Sequence, residues 1–406
     1  MLPIFKESSQ NNRDKRQNGS TAGFVLFALG FRPFFLLAGI FAVGLVALWA
    51  AVFVGNYNLV TYYGMIGWHS HEMIFGYTIA VISGFLLTAV RNWTEIDTPK
   101  GAPLASLSAL WLIGRILPFF PNDLPAWLIA LADLAFLPAV GVAVAIPLLR
   151  SGQKRNLIFL PLLAGLALAN LLMHLASVGF AEEMGRAGAF LGLDLIVLLI
   201  VIMGGRVIPF FTERALPGVT PARWPLVEWL SISAVIAFSI VEVWLPYSLL
   251  AGVLAALAAA GNGVRLGGWY TKRFWSVPLL WVLHVGYAWI VVGFLVKALG
   301  AADLIASQFT IHAFTVGGIG VLTLGMMARV SLGHTGRPLK VSAAMALAFV
   351  SINLAAAARG VLPILFPQWF PQLIAVSGIL WTLSFLIFLF IYTPILLSPR
   401  IDGRPG

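Results

Sequence analysis

The chain has 406 residues, of which 60% are hydrophobic and only 10% charged, with a mean hydropathy of +0.95. Soluble proteins carry about 25% charged residues, so a soluble globular fold is excluded and an all-α polytopic membrane protein with one integral domain is implied. The net charge of +10 reports membrane orientation rather than nucleic-acid binding once the basic residues are placed by loop. Cysteine is absent, which excludes disulfides, thiolate-ligated haem, iron–sulfur clusters, cysteine zinc sites and covalent c-type haem. Any metal or haem is left to His, Met, Tyr or carboxylate ligands.

Residues 1–23 are polar and include Lys6, Glu7, Arg13, Asp14, Lys15 and Arg16. They lack the apolar run and small-residue cleavage site of a signal peptide and read as a short disordered cytoplasmic tail. A hydrocarbon core of about 30 Å needs about 20 apolar residues per helix. On that ruler residues 24–398 hold twelve spans, at roughly 33–54, 70–90, 103–120, 125–148, 157–178, 187–208, 225–244, 247–265, 277–299, 305–328, 341–362 and 371–396. Gly30-Phe31-Arg32-Pro33 divides an interfacial turn from the first helix, with Pro33 at its first helical position. Residues 399–406 form a second cytoplasmic tail.

Basic residues alternate from loop to loop. They occur at Arg91 and Lys100, at Arg150, Lys154 and Arg155, at Arg206, Arg214 and Arg223, and at Arg265, Lys272 and Arg273. They recur at Arg329, Arg337 and Lys340 and at Arg400 and Arg404, whereas the intervening loops carry almost none. This positive-inside pattern puts both termini in the cytoplasm. The second, sixth and tenth spans each end in an arginine: Arg91, Arg206 and Arg329. Either three four-helix units repeat, or charge bias and the helix dipole place an Arg at each cytoplasmic end.

The densest set of metal-capable groups is Trp68-His69-Ser70-His71-Glu72-Met73, at the outer mouth of the second span. Ligating side chains at membrane depth are costly and mark function by default; the plainer alternative is interfacial residues bonded to water and headgroups. The fifth span places His174 roughly 6 Å below the outer boundary, and the tenth places His312 roughly 10 Å below it. His69, His71, His174 and His312 therefore share one outer layer as candidate metal and haem ligands. On a regular helix residues two apart point about 200° from each other, so His69 and His71 serve different partners if regular helix begins by Trp68; in an extended or first-turn conformation the two can converge on one ion. Glu72, three residues from His69, suits a ligand or a carboxylate supporting one.

His284 lies in the inner half of the ninth span, a second haem ligand or a core histidine bonded to a neighbouring helix. His334 falls in a cytoplasmic loop and reads as solvated. Arg115 and Arg359, in the histidine layer, suit haem propionates; ion pairing with Asp133, Asp194 or Glu242 is the alternative. The pairs Gly204-Gly205 and Gly317-Gly318, the latter followed by Gly320, suggest close helix contacts.

Five blocks carry a family resemblance: Gly30-Phe31-Arg32-Pro33-Phe34-Phe35, the run from Trp68 to Gly76, and Gly84-Phe85-Leu86-Leu87-Thr88-Ala89-Val90 with Asn92-Trp93-Thr94. They continue with Gly205-Arg206-Val207-Ile208-Pro209-Phe210-Phe211-Thr212 and the run from Gly325 to Arg337. With these blocks the chain resembles the NnrS family of bacterial inner-membrane proteins. The resemblance implies a haem- and copper-containing protein of about twelve helices, linked to denitrification and to resistance against nitric oxide and nitrosative stress. It does not assign individual ligands.

Two readings of function follow. In the first, a non-covalent haem b and copper handle nitric oxide, by reduction or otherwise, with an electron donor that the sequence does not name. The twelve helices are analogous to those of haem–copper oxidases, but this sequence lacks the histidine-bearing sixth helix and the paired histidines on the seventh. In the second, the chain is a transporter of haem, copper or a metal–nitrosyl species, for which twelve helices and intramembrane charges are typical. A sensor without turnover ranks below both, because the chain holds no soluble signalling domain.

Overall fold

A helix satisfies its backbone N–H and C=O groups internally, the condition for crossing a bilayer, and a chain this apolar resolves into helices. The computed structural model describes residues 25–55, 57–306 and 309–404; the tail expected over 1–23 lies outside them. Among the described residues there is no strand, and twelve helices are long and apolar enough to cross a membrane. They are α1 Phe31–Gly55, α2 Gly64–Thr94, α3 Ala102–Phe119, α4 Ala126–Ser151, α5 Lys154–Ser177 and α6 Glu182–Ala215. The second half comprises α7 Pro225–Trp244, α8 Leu249–Trp269, α9 Pro278–Ala301, α10 Ala313–His334, α11 Ala343–Leu365 and α12 Pro367–Leu397. The protein is a multi-pass membrane protein.

Each expected span has its helix, and the two large differences both bear on the histidines. α2 starts at Gly64, whose φ of +68° turns the chain in a way open to glycine. The whole block from Trp68 to Met73 therefore lies inside the helix rather than at its mouth. At 31 residues α2 is ~46 Å long, and it is interrupted by a π-helical stretch, Glu72–Thr78. The extra residue per turn is marked by Thr78 Oγ1, which donates to the Met73 carbonyl five residues back. α10 begins at Ala313, later than the apolar run of the sequence, again with a π-helical stretch, Ala313–Gly320. Apolarity alone does not distinguish the non-helical connection at 302–306 from the helix that follows. His312 consequently sits immediately before α10 and not several residues inside it. At the other end α10 runs on to His334, which is half-buried with its ring 5.8 Å from that of Phe31. The solvated loop expected there starts only after it.

α2, α6 and α10 are the centre of the bundle: 89%, 67% and 78% of their apolar windows are buried, against 28% for α1 and α7 and 33% for α12. These are the three helices that carry Arg91, Arg206 and Arg329; α6 runs on nine residues past Arg206 to Ala215, so the three do not end alike as the sequence suggested. Their glycines give the close approach expected from the sequence. A Cβ on Gly204 would lie 2.7 Å from the Tyr287 ring, one on Gly317 would lie 2.5 Å from Trp289, and one on Gly320 would lie 2.5 Å from Trp381. Gly320→Val is expected to destabilise the protein by about 1–3 kcal/mol, as overpacking does, measurable as a lower midpoint of thermal aggregation in detergent.

Two arginines fasten the bundle. Arg32 Nη1 donates to the carbonyls of Leu396 and Ser398, each at 2.8 Å, joining the start of α1 to the end of α12. Arg265 on α8 is fully buried and donates to Glu228 (3.0 and 2.7 Å), Asn262 (2.9 Å), Tyr287 (2.5 Å) and the Val201 carbonyl (3.1 Å). Its bonds draw α6, α7, α8 and α9 together, and Gly205 leaves the room its guanidinium needs.

Candidate metal centre and adjoining cavity

The π-helical interruption of α2 starts directly after His71, and π-bulges recur at functional sites. His69 and His71 lie in the regular helix before it, Gly64–His71, and point to different neighbours, as their spacing there requires. His71 turns toward α4 and α5; His69 turns toward α1, where its ring stacks on Trp49 with centroids 4.2 Å apart.

His71, Asp133 on α4 and His174 on α5 are buried and converge, with one ligand atom of each within 4.8 Å of the others. Asp133 Oδ2 lies 3.2 Å from His71 Nε2 and 2.9 Å from His174 Nε2. The outer nitrogens are held from behind. His71 Nδ1 is 2.9 Å from Glu72 Oε1, and His174 Nδ1 is 3.3 Å from the Tyr62 hydroxyl. Two imidazoles with Nδ1 anchored and Nε2 turned to a shared point form the arrangement seen in metal-ligating histidines, whose second nitrogen is tied to a carboxylate or hydroxyl. Glu72 thus supports His71 rather than His69, its neighbour three residues away.

Arg115 on α3 completes the centre. It pairs with Asp133 and donates to Glu72 Oε2 at 3.1 Å. Gly114 beside it admits the Asp133 side chain, since a Cβ there would lie 2.8 Å from Asp133 Oδ1. Arg115 is therefore committed to two carboxylates, the ion pairing that the sequence allowed as the alternative to a propionate contact. With both imidazoles neutral, two carboxylates against one guanidinium leave one negative charge in a buried site, and a bound cation would neutralise it. Asn170, one turn before His174, bridges the set: its side chain lies 2.8 Å from His71 Nε2 and donates to Asp133 Oδ2 at 2.8 Å.

Tyr63 joins this centre to a cavity. Its hydroxyl is 2.9 Å from His71 Nε2 and 3.2 Å from His174 Nε2, and its ring stacks on His71 at 4.0 Å. The same residue lines a cavity of about 520 Å³, within the range of small-molecule and cofactor sites. Tyr62 and Tyr63 precede α2, and burial raises both phenols, Tyr62 to about 12 and Tyr63 well above its ordinary value. Both are neutral at pH 7 and able to donate.

His69, His312 and Arg359 face the same cavity, together with Met73, Met173 and Trp49. Nδ1 of His69, Nδ1 of His312 and Nη1 of Arg359 are buried without a hydrogen-bond partner, a costly state for polar groups. The backbone of His312 is set by Gly360 on α11, where a Cβ would lie 3.0 Å from Ala313 N and 3.3 Å from the His312 carbonyl carbon. The neighbouring Arg359 is thereby held beside His312.

The histidine layer expected from sequence is divided into two sets, His71 with His174 and His69 with His312. His284 belongs to neither: it is buried against Phe274 (4.2 Å, stacked), its Nδ1 is 3.0 Å from the Leu280 carbonyl of its own helix rather than a neighbouring one, and its Nε2 is buried without a hydrogen-bond partner. Asp133, Asn170 and Tyr63 were not expected as site residues. Asn170 precedes His174 by four residues and so shares its helical face, and Asp133 is an ionisable residue in an otherwise apolar span. Those are the signals by which they are legible.

No curated protein matches this chain. The profile of the NnrS protein family matches residues 25–400, spanning all twelve helices and both groups of histidines. The chain belongs to the NnrS family.

Proposed function

We propose that the protein binds copper and haem b in the bacterial inner membrane and handles nitric oxide there, with copper at the His71–Asp133–His174 centre and haem in the adjoining cavity. The observation that carries this reading is the pairing of two neighbouring donor sets by one residue, Tyr63, which bonds both histidines of the centre and lines the cavity.

The residues fit both groups. Two imidazole nitrogens and a carboxylate oxygen, with no thiolate, suit a divalent first-row ion, and copper is favoured among these by intrinsic affinity. The unpartnered nitrogens of His69 and His312 are free to hold a haem iron, and Arg359 and Arg186 on the cavity wall would meet its propionates. A bound haem would supply ferrous iron for nitric oxide binding and one-electron chemistry. The chain's own groups set the surroundings. Glu72 fixes the tautomer of His71, Arg115 holds Asp133 in place, and the Tyr63 hydroxyl places a proton donor between the two sites. The apolar wall, including Ile74, Leu193 and Val316, favours a small uncharged gas over ions. The positive-inside bias supports an orientation with the chain ends in the cytoplasm and the donor sets in the outer half.

The test is an optical spectrum of protein purified from haem- and copper-replete cells, oxidised, then reduced, then exposed to nitric oxide, with metal analysis on the same sample. The expected result is a b-type spectrum that shifts with nitric oxide, together with bound copper. Protein with neither haem nor copper would overturn the reading and put transport assays first.

A further inference from the structure

Behind the cavity wall is a second buried charge cluster that the metal centre does not use. Asp194 on α6 is 3% exposed, and its Oδ2 is buried without a hydrogen-bond partner. Glu242 on α7 and Lys297 on α9 are equally buried, and Lys297 Nζ donates to Glu242 Oε1 at 2.5 Å. These two are the charged groups that act on Asp194. α2, α5, α8 and α10 also pack on α6, and among the described residues their charged groups are engaged elsewhere, Arg265 of α8 with Glu228 and the Val201 carbonyl and Glu72 of α2 with Arg115 and His71.

Three ionised groups would leave one net negative charge within the membrane interior, where unpaired charge is expensive. One proton removes it. The ammonium of Lys297 is already hydrogen-bonded to Glu242, so the carboxylate left without a partner is Asp194, the group for which a proton is cheapest.

The cluster lies between an aqueous face and the cavity. Glu242 is within one turn of the end of α7, and the Lys297 ammonium is covered by the rings of Tyr247, in the α7–α8 connection, and Phe190, at 5.3 and 4.6 Å. Phe190 and Leu193, on the same helix as Asp194, line the cavity.

We propose that Asp194 is a proton-binding site. It carries an exchangeable proton in the resting protein and yields it when the balance of charge around Lys297 and Glu242 changes. On release the carboxylic O–H bond of Asp194 breaks, the proton passes to Glu242, and the Asp194 carboxylate takes Lys297 as its counter-ion in place of Glu242, so that the cluster stays neutral. Ionisable residues within membrane spans, carboxylates among them, mark proton relays. The inference stands whichever metal or haem the cavity holds.

Infrared spectroscopy of the full-length protein in detergent or lipid, in H2O and D2O, tests this directly. The wild type is expected to show a carboxylic-acid C=O band that shifts in D2O, and Asp194→Asn to lose it. Glu242→Gln is expected to lose it as well, because Lys297 then has Asp194 as its only counter-ion and holds it ionised. A wild type without the band, or an Asp194→Asn protein that keeps it unchanged, would overturn the proposal. If Asp194→Asn does not fold, Glu242→Gln decides alone: loss of the band supports the site and retention overturns it.

Discussion

Replacing His71, Asp133 or His174 by alanine, one at a time, is expected to bring copper in the purified protein down to background while leaving the haem spectrum present. Each change removes one of three ligand atoms from a site whose remaining neighbours, Glu72, Arg115, Asn170 and Tyr62, are already engaged in hydrogen bonds. Asp133→Ala carries a second cost. It leaves Arg115, 4% exposed, with Glu72 as its single counter-ion, and breaking a buried pair typically costs about 3–5 kcal/mol. Asp133→Asn is the better probe of the metal because it keeps the shape and can still accept a hydrogen bond. Glu72→Gln is expected to be milder, weakening copper on the order of 10–100-fold, the usual effect of changing a carboxylate behind a ligating histidine. Metal analysis of the five proteins, with size-exclusion profiles as the control for folding, gives the result. Full copper in all three alanine variants would remove the centre from consideration.

His69→Ala and His312→Ala are expected to do the reverse, abolishing the haem absorbance with copper retained. His69 stacks on Trp49 and makes no contact with Asp133, so the His71 centre does not depend on its imidazole. His312 precedes α10, and its backbone is fixed by Gly360 rather than by its own side chain, so truncation is not expected to unfold the helix. Arg359→Gln should leave haem bound but more readily lost on washing, because a propionate contact stabilises without ligating the iron. Haem content by pyridine extraction and copper by elemental analysis on the same preparations separate the two sites. If His69→Ala and His312→Ala both keep full haem, the cavity is not the haem site, and His71 and His174 become the candidates.

The sequence by itself determined the number of crossings, their order and the residue types available for chemistry. Those properties depend on local apolarity, on the length a bilayer imposes and on the absence of cysteine, all of which are written one residue at a time. It left open whether His69 and His71 converge; the start of regular helix at Gly64, ahead of both, sent them to different partners. Tertiary structure alone decided which partners. Asp133 became the third member of the centre because Gly114 and Arg115 on α3 admit and hold it. His174 joined His71 because α5 brings Asn170 and His174 onto one face beside α2. His312 fell in with His69 because α10 starts late and Gly360 presses α11 against its first residues. Each of these is a contact between helices distant in sequence, fixed by which small residue allows which backbone to approach, and no pattern within one helix encodes that choice.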